Sequence, residues 1–342
     1  MTTANRILLP GLAGMAALCL LTSCATRSAE TPAAAAPVWP PPPEAPRITW
    51  QRSIGGPGDL GVRRSTLGRI GDWLTGETAG GSGFVRPFGI ALDETGNLCL
   101  TDTGSRTVCY FDWTQKIWRR WEQAGAVRFD TPVAVAKHGG IFYVADTGLA
   151  SVVMFDEQGK LRGEIKAGLQ RPSGVAVAGN RLLVADSQAQ SVLIFGLDGK
   201  ALGSFGSRGA GEGQFNFPTH ISADMAGNLL VTDSLNSRLQ VFDPQGRFLR
   251  QIGSLGDSPG HFSRPKGVAG DTHGHLYVVD ANFDNVQIFD KQGQLLMSLG
   301  GAGNGPGQFW LPNGIAVSRD NVIYITDSYN QRIQVLKFTG EP

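Results

Sequence analysis

The chain has 342 residues, room for one large domain or two ordinary ones, and its 41% hydrophobic content excludes global disorder. Lys and Arg number 30 against 29 Asp and Glu, so there is no basic footprint and nucleic acid is not an expected partner. With 47 glycines, 17% charged residues and many short β-branched runs, the composition points to an all-β protein rich in tight turns.

Arg6 and the amino terminus make a short positive region, followed by an apolar stretch from Ile7 to Leu21 that Pro10, Gly11 and Gly14 interrupt. Those 15 residues fall short of the roughly 20 that a membrane span needs and match the apolar part of a secretory signal. Leu21-Thr22-Ser23-Cys24 resembles a bacterial lipobox. The resemblance implies that residues 1–23 are a signal peptide and that Cys24 carries the acyl (palmitate-type) chains. A plain signal peptide that happens to contain a cysteine is the alternative. Ala25, where an Asp would favour inner-membrane retention, points to the outer membrane. The expected location is the bacterial cell envelope, with the chain held to the membrane by its lipid.

Residues 24–46 read as a linker. They are Ala- and Pro-rich, with Trp39 followed by Pro40 to Pro43 and then Pro46. Consecutive prolines favour polyproline II and a semi-rigid stalk. A docking strip for a partner's aromatic groove is the other reading.

From about residue 47 to 342 the chain repeats. One marker is a Pro followed two residues later by a small residue: Pro87, Pro132, Pro172, Pro218, Pro265 and Pro312. A second is the Asp that closes the next apolar run: Asp102, Asp146, Asp186, Asp233, Asp280 and Asp327, spaced by 44, 40, 47, 47 and 47 residues. Each copy contains β-rich runs separated by turn signals ending in Gly, such as Asp243-Pro244-Gln245-Gly246. Four strands in 40–47 residues is the arithmetic of a propeller blade, so the expected fold is an all-β, six-bladed β-propeller.

Segments 86–112 and 311–338 resemble NHL repeats, and the likeness extends over 84–338. The repeat's Arg is present as Arg238 and Arg332, whereas Ser151, Ser191 and Asn285 stand at the equivalent site in other copies. The recurring Asp and Arg read as turn-fixing partners rather than catalytic groups.

The sixth copy ends after three strands, which would expose a sheet edge. ITWQRSIGG (48–56) matches the outer runs RFLRQIGS (247–254) and QLLMSLGG (294–301), so residues 47–54 are expected to close the last blade. Between that strand and blade one lies an insertion, 57–83. Leu67, Ile70, Trp73 and Leu74 make a one-sided apolar stripe there, which predicts a short helix on the propeller face or a lid.

Strand alternation places the residue after each Pro at one end of the central channel. Phe88, Val133, Ser173, Thr219, His220, Lys266 and Asn313 are therefore the candidate binding face, around an expected channel mouth. Some propellers of this type are enzymes, and peptidylglycine alpha-amidating lyase uses a channel metal with several His ligands. The comparable position of this chain holds Gly89, Ala134, Gly174, His220, Gly267 and Gly314. One His does not make a three-ligand zinc site. His138, His261, His273 and His275 fall in turns and loops, and His273-x-His275 has no third partner in view. No acid occupies these positions, as gluconolactonase-like propellers would require. GSRGAGEG (206–213) has dinucleotide-type glycine spacing without a following helix. No metal, cofactor or catalytic residue is expected.

Cys99 and Cys109 remain once Cys19 and Cys24 are set aside. Pairing them across the second and third strands of blade one predicts a disulfide, with two buried thiols as the alternative. The expected function is a monomeric, lipid-anchored scaffold that presents its channel-mouth face to an envelope protein or peptide. The alternative is a metal-dependent lyase or hydrolase working in the channel.

Overall fold

The computed structural model describes residues 36–62 and 83–340. From residue 36 on they form one compact unit, a six-bladed β-propeller. Blade one is typical. Its strands are Pro87–Leu92, Leu98–Asp102, Thr107–Asp112 and Ile117–Trp121, running antiparallel from the central channel to the rim. Blades two to five repeat this order, with inner strands Pro132–His138, Pro172–Ala178, Pro218–Ala223 and Pro265–Gly270. No helix among the described residues is long and apolar enough to cross a membrane.

Period-two patterning explains the stacking. In Val322–Asp327 of blade six, Ile323 and Ile325 point toward blade five while Tyr324 points toward blade one. Each pair of neighbouring blades thus buries its own apolar layer. The connections between blades add a further anchor: Phe129, Phe215, Phe262 and Phe309 drop from these loops into the layers and are 0–2% exposed.

The ring closes as the sequence predicts. Ile48–Ile54 pairs antiparallel with Arg332–Phe338, with Ile48 opposite Phe338 and Ile54 opposite Ile333. Trp50 Nε1 donates to Gln334 Oε1 at 3.0 Å. Ile48 packs into the layer between blades five and six, and Ile54 into the layer between six and one.

The prolines before this strand are more engaged than a stalk reading allows. Val38–Trp39 adds a fifth strand outside Ile48–Ile54, with Val38 opposite Thr49 and Trp39 opposite Ile48. Trp39 lies over Gly307, where a Cβ would meet its indole at 2.5 Å. The apolar stripe of Leu67, Ile70, Trp73 and Leu74 lies outside the described residues, as do the signal segment and Cys24.

The disulfide is a correction. Across the hairpin Cys99 faces Tyr110, and Cys109 faces Leu100. A one-residue offset in register sends side chains to opposite faces of a sheet. Cys99 therefore packs between blades one and two, and Cys109 between blades six and one. Both are free and buried. Burial pushes the Cys109 thiol up to about 12 and raises Cys99 as well, so neither is a thiolate at neutral pH.

Candidate functional site

The six repeated aspartates build one end of the ring. Asp186 accepts the backbone N–H groups of Gln170, Arg171, Gln188 and Ala189, tying the loop that enters blade three to the hairpin between its second and third strands. Asp102, Asp146 and Asp280 do the same in their blades. In blade six Asp327 accepts Trp310 N–H and the Nε of Arg332. In blade four Asp233 accepts Asn216 N–H and the Nε of Arg238. These are fastening contacts. They align every Pro at one end, called here the proline end.

Two residues past each Pro the inner strands nearly touch. A Cβ on Gly89 would lie 2.4 Å from Val133 O, and one on Gly314 would lie 2.5 Å from Phe88 O. Glycine is the residue that lets the ring close this tightly. His220 replaces it in blade four, and its Nε2 reaches Asn313 Oδ1 in blade six at 3.0 Å. Burial, with the nearby Lys266 charge, lowers the His220 pKa to about 3. Its Nδ1 is buried without a hydrogen-bond partner among the described residues.

The channel cavity, about 430 Å³, lies beyond this constriction and runs to the opposite end. Its walls are apolar rows such as Ile90, Val135, Val175, Ile221, Val268 and Ile315. Its charged lining sits at the far rim and is paired. Lys137 Nζ lies 3.0 Å from Asp93 and 3.1 Å from Glu157, and His138 Nδ1 lies 2.6 Å from Glu94. Despite partial burial, hydrogen bonds from Thr95, Lys137 and Asn97 hold Asp93 down at about 2. Sequence reasoning missed this cluster. Its signal was the Asp-x-x-x-Asn turn of residues 93–97 beside a lysine in the next blade.

Of the candidate face residues, His220 lines the cavity; the other six form the constriction on its proline side. Thr219 and Asn313 are buried, 5% and 6% exposed, and Val133 is 8% exposed. Phe88 packs into the layer between blades two and three. Ser173 Oγ donates to Pro218 O at 2.7 Å. The expected open mouth is at this end a packed ring, because side chains of this length meet where the strands converge. Lys266 is the exception. It is partly buried, its ammonium has no hydrogen bond or ion pair among the described residues, and burial with the charges of Arg264 and Arg171 lowers its pKa to about 8.

Around that ring the proline end exposes apolar and aromatic surface: Trp310 at 54%, Tyr329 at 44%, Val85 at 45% and Leu235 at 60%. Trp310 and Tyr329 rings lie 5.5 Å apart, and the Arg86 guanidinium sits 5.1 Å over Tyr329. His273 and His275 are turn partners instead, bonded to Asn321 and Asp271. No group of three or more His, Cys, Asp or Glu able to hold a metal occurs among the described residues.

Known proteins match this architecture. The family described as 6-bladed beta-propeller matches residues 223–272 and 268–341. Among solved structures, a streptogramin B lyase is 14% identical with a TM-score of 0.56, over 75% of this chain and 94% of that one. The hydrazine synthase of Kuenenia stuttgartiensis is 16% identical with a TM-score of 0.55, over 75% and 97%. Selenomethionine-substituted virginiamycin B lyase from Staphylococcus aureus is 14% identical with a TM-score of 0.56, over 74% and 95%. Such identities carry the fold alone. No curated protein matches the chain.

The neutral state of His220 has a measurable consequence. Its folded pKa lies below the ordinary value, so from about pH 6.5 down to about 3 the unfolded chain binds a proton that the folded chain refuses. Stability therefore falls with acidification in that window. In His220→Gln this component disappears, leaving the variant on the order of 2 kcal/mol less acid-sensitive near pH 4.5 in urea titrations. Parallel curves for the two proteins would contradict a buried neutral imidazole.

Proposed function

We propose that this protein is an NHL-type propeller lipoprotein of the bacterial envelope that binds a protein or peptide through its proline end. The observation that carries the reading is the exposed cluster of Trp310, Tyr329, Val85 and Leu235, with Arg86 stacked on Tyr329. Aromatic residues and Arg are the types that concentrate in the energetic centre of protein interfaces. Here they stand on loops that buried aspartates hold rigid, so little ordering cost opposes binding. The lipobox-like Leu21-Thr22-Ser23-Cys24 supports acylation at Cys24, and Ala25 supports outer-membrane placement. The candidate face named from the sequence contributes through Lys266, while Phe88, Val133, Ser173, Thr219, His220 and Asn313 hold the ring beneath it.

A photo-crosslinking amino acid placed at Tyr329 in the full chain, in cells, yields a discrete adduct. The same group at Leu202, which is 57% exposed on the rim of blade three, does not. Adducts at neither position, or at Leu202 alone, would refute the assignment.

The second reading is a metal-dependent lyase or hydrolase acting in the channel. The streptogramin B and virginiamycin B lyases share the fold, which favours it. His220 is the only imidazole beside the constriction, and at about 3 it is too weak a base to take a proton near neutrality. Stoichiometric zinc or calcium in the purified protein would support this reading over the scaffold.

A further inference from the structure

The turn that leads into an outer strand covers the blade before it. A Cβ on Gly246, in the turn of blade four, would lie 2.8 Å from the Phe205 ring on the outer strand of blade three, and one on Gly293 of blade five would lie 2.9 Å from Ile252 of blade four. Blades two and three pack in the same way, through Gly159 on Trp121 and Gly199 on Ile165. Blade six has no such turn, because its third strand ends at Phe338 while its outer strand starts afresh at Ile48. The two ends are fastened where Thr339 N–H and Gly340 N–H donate to Arg47 O, at 2.7 and 3.1 Å. Where the turn would otherwise lie, the seam between blades five and six keeps a pocket of about 340 Å³, at the end opposite the prolines.

The apolar lining of this pocket is Ile48, Ile288, Leu296, Met297 and Phe338, and two polar residues, Arg47 and His275, complete it. His275 ends the turn between the first two strands of blade five, and its ring lies 5.2 Å from that of Phe338. Its Nδ1 donates to Asp271 Oδ2 at 2.8 Å, and Asp271, 2% exposed, also accepts Tyr277 OH at 2.9 Å. Although burial opposes ionisation, the hydrogen bonds from His275 and Tyr277 hold Asp271 below the usual carboxylate range. A carboxylate only accepts, so Nδ1 carries the hydrogen. Nε2 is left without a partner among the described residues, as is the Arg47 guanidinium. The turn itself does not need an imidazole. Blades one and four place Asn97 and Asn228 here, and the Nδ2 of each makes the bond to its own turn aspartate, Asp93 or Asp224.

We propose that this pocket binds a medium-chain fatty acid, with its carboxyl group between Arg47 and His275 and its aliphatic tail on Ile288, Met297 and Phe338. One carboxyl oxygen accepts from the guanidinium, and the other shares a hydrogen with His275 Nε2, so both unpartnered groups gain a partner from one ligand. The lining holds no amide or hydroxyl side chain. A peptide entering it would bury backbone N–H and C=O groups without partners there, whereas an unbranched hydrocarbon has none to lose. The volume stands at the low end of the roughly 300–1,000 Å³ that takes small molecules. The site lies at the other end of the ring from the face proposed above for a protein partner and does not depend on it.

The test is calorimetric titration of the full chain with sodium decanoate. Decanoate is expected to bind, 1-decanol to bind about 10-fold or more weakly, and octanoate to lose about fourfold for each CH₂ removed. Arg47→Met keeps the alkyl stem, and His275→Asn keeps a donor for Asp271, so both variants retain the parent's thermal transition. Each is expected to weaken decanoate about 10-fold or more. Leu296→Asp, at a position 41% exposed, weakens it as well by setting a carboxylate beside the tail. Absence of decanoate binding overturns the proposal, as does equal affinity for decanoate and decanol, or the parent's affinity in Arg47→Met or in His275→Asn. A short peptide ending in Leu that binds more tightly than decanoate also overturns it, since the pocket would then be a site for chain ends. The Tyr329 crosslink reports on the opposite end of the ring, so the scaffold function and this inference fail separately.

Discussion

Removing residues 36–54 abolishes the cooperative melting of the propeller. Blade six then has three strands, and Arg332–Phe338 becomes an open edge. Ile48 and Ile54 are 0% exposed, and their removal withdraws about 2–3 kcal/mol of apolar burial each. The backbone hydrogen bonds of the closing pair contribute about 1 kcal/mol apiece, and their loss leaves unpaired groups behind. Together this rivals the roughly 5–15 kcal/mol that hold a whole domain. A graded version keeps the result interpretable if the truncated chain aggregates. Ile54→Ala lowers stability by about 2–5 kcal/mol, whereas Gln51→Ala, on the exposed face of the same strand, stays within about 0.5 kcal/mol. Calorimetry of the three proteins reads this directly. A truncated chain that melts at the parent's temperature would show that the ring does not depend on its amino-terminal strand.

That strand was legible because it carries the same aromatic and aliphatic spacing as the outer strands of blades four and five. The blades were legible for a similar reason. Pro and Asp recur at each blade because every inner strand must begin at the same height and every carboxylate must fasten the same turn. A constraint imposed six times leaves six marks. What the sequence concealed was imposed once. The Cys99–Cys109 register depends on a single residue of offset in one hairpin, which composition does not encode. The proline run of residues 40–43 suggests a free spacer, although the buried contact of Trp39 with Gly307 draws its start into the sheet. Trp39 within a Pro-rich tract was the available hint. The channel mouth was misplaced because a one-dimensional pattern gives the order of residues along a strand, not how tightly six strands converge.

The aspartates distinguish fastening from chemistry. Asp327, 0% exposed, accepts Trp310 N–H at 2.8 Å, Arg332 Nε at 2.8 Å and Asn330 Nδ2 at 2.9 Å. Arg332 in turn donates to the carbonyls of Asn304, Gly305 and Gln308, clamping the connection between blades five and six. In Asp327→Ala the Trp310 amide and a largely buried guanidinium lose their acceptor together, which costs about 3–5 kcal/mol. Asp102 fastens blade one through the backbone N–H groups of Val85, Arg86 and Ser105, with no arginine side chain bonded to it among the described residues. Asp102→Ala is therefore milder, about 2–3 kcal/mol, because no charge is stranded. Denaturant midpoints should rank the parent above Asp102→Ala and Asp102→Ala above Asp327→Ala. Arg332→Met, which removes the cation and leaves the carboxylate its Trp310 and Asn330 donors, should fall between the parent and Asp327→Ala. If Asp327→Ala kept the parent's midpoint while losing the Tyr329 crosslink, Asp327 would belong to the binding surface and not to the frame. The frame role predicts the reverse coupling: the crosslink weakens only as far as the fold does, because Trp310 and Tyr329 stand on the segments that this carboxylate holds.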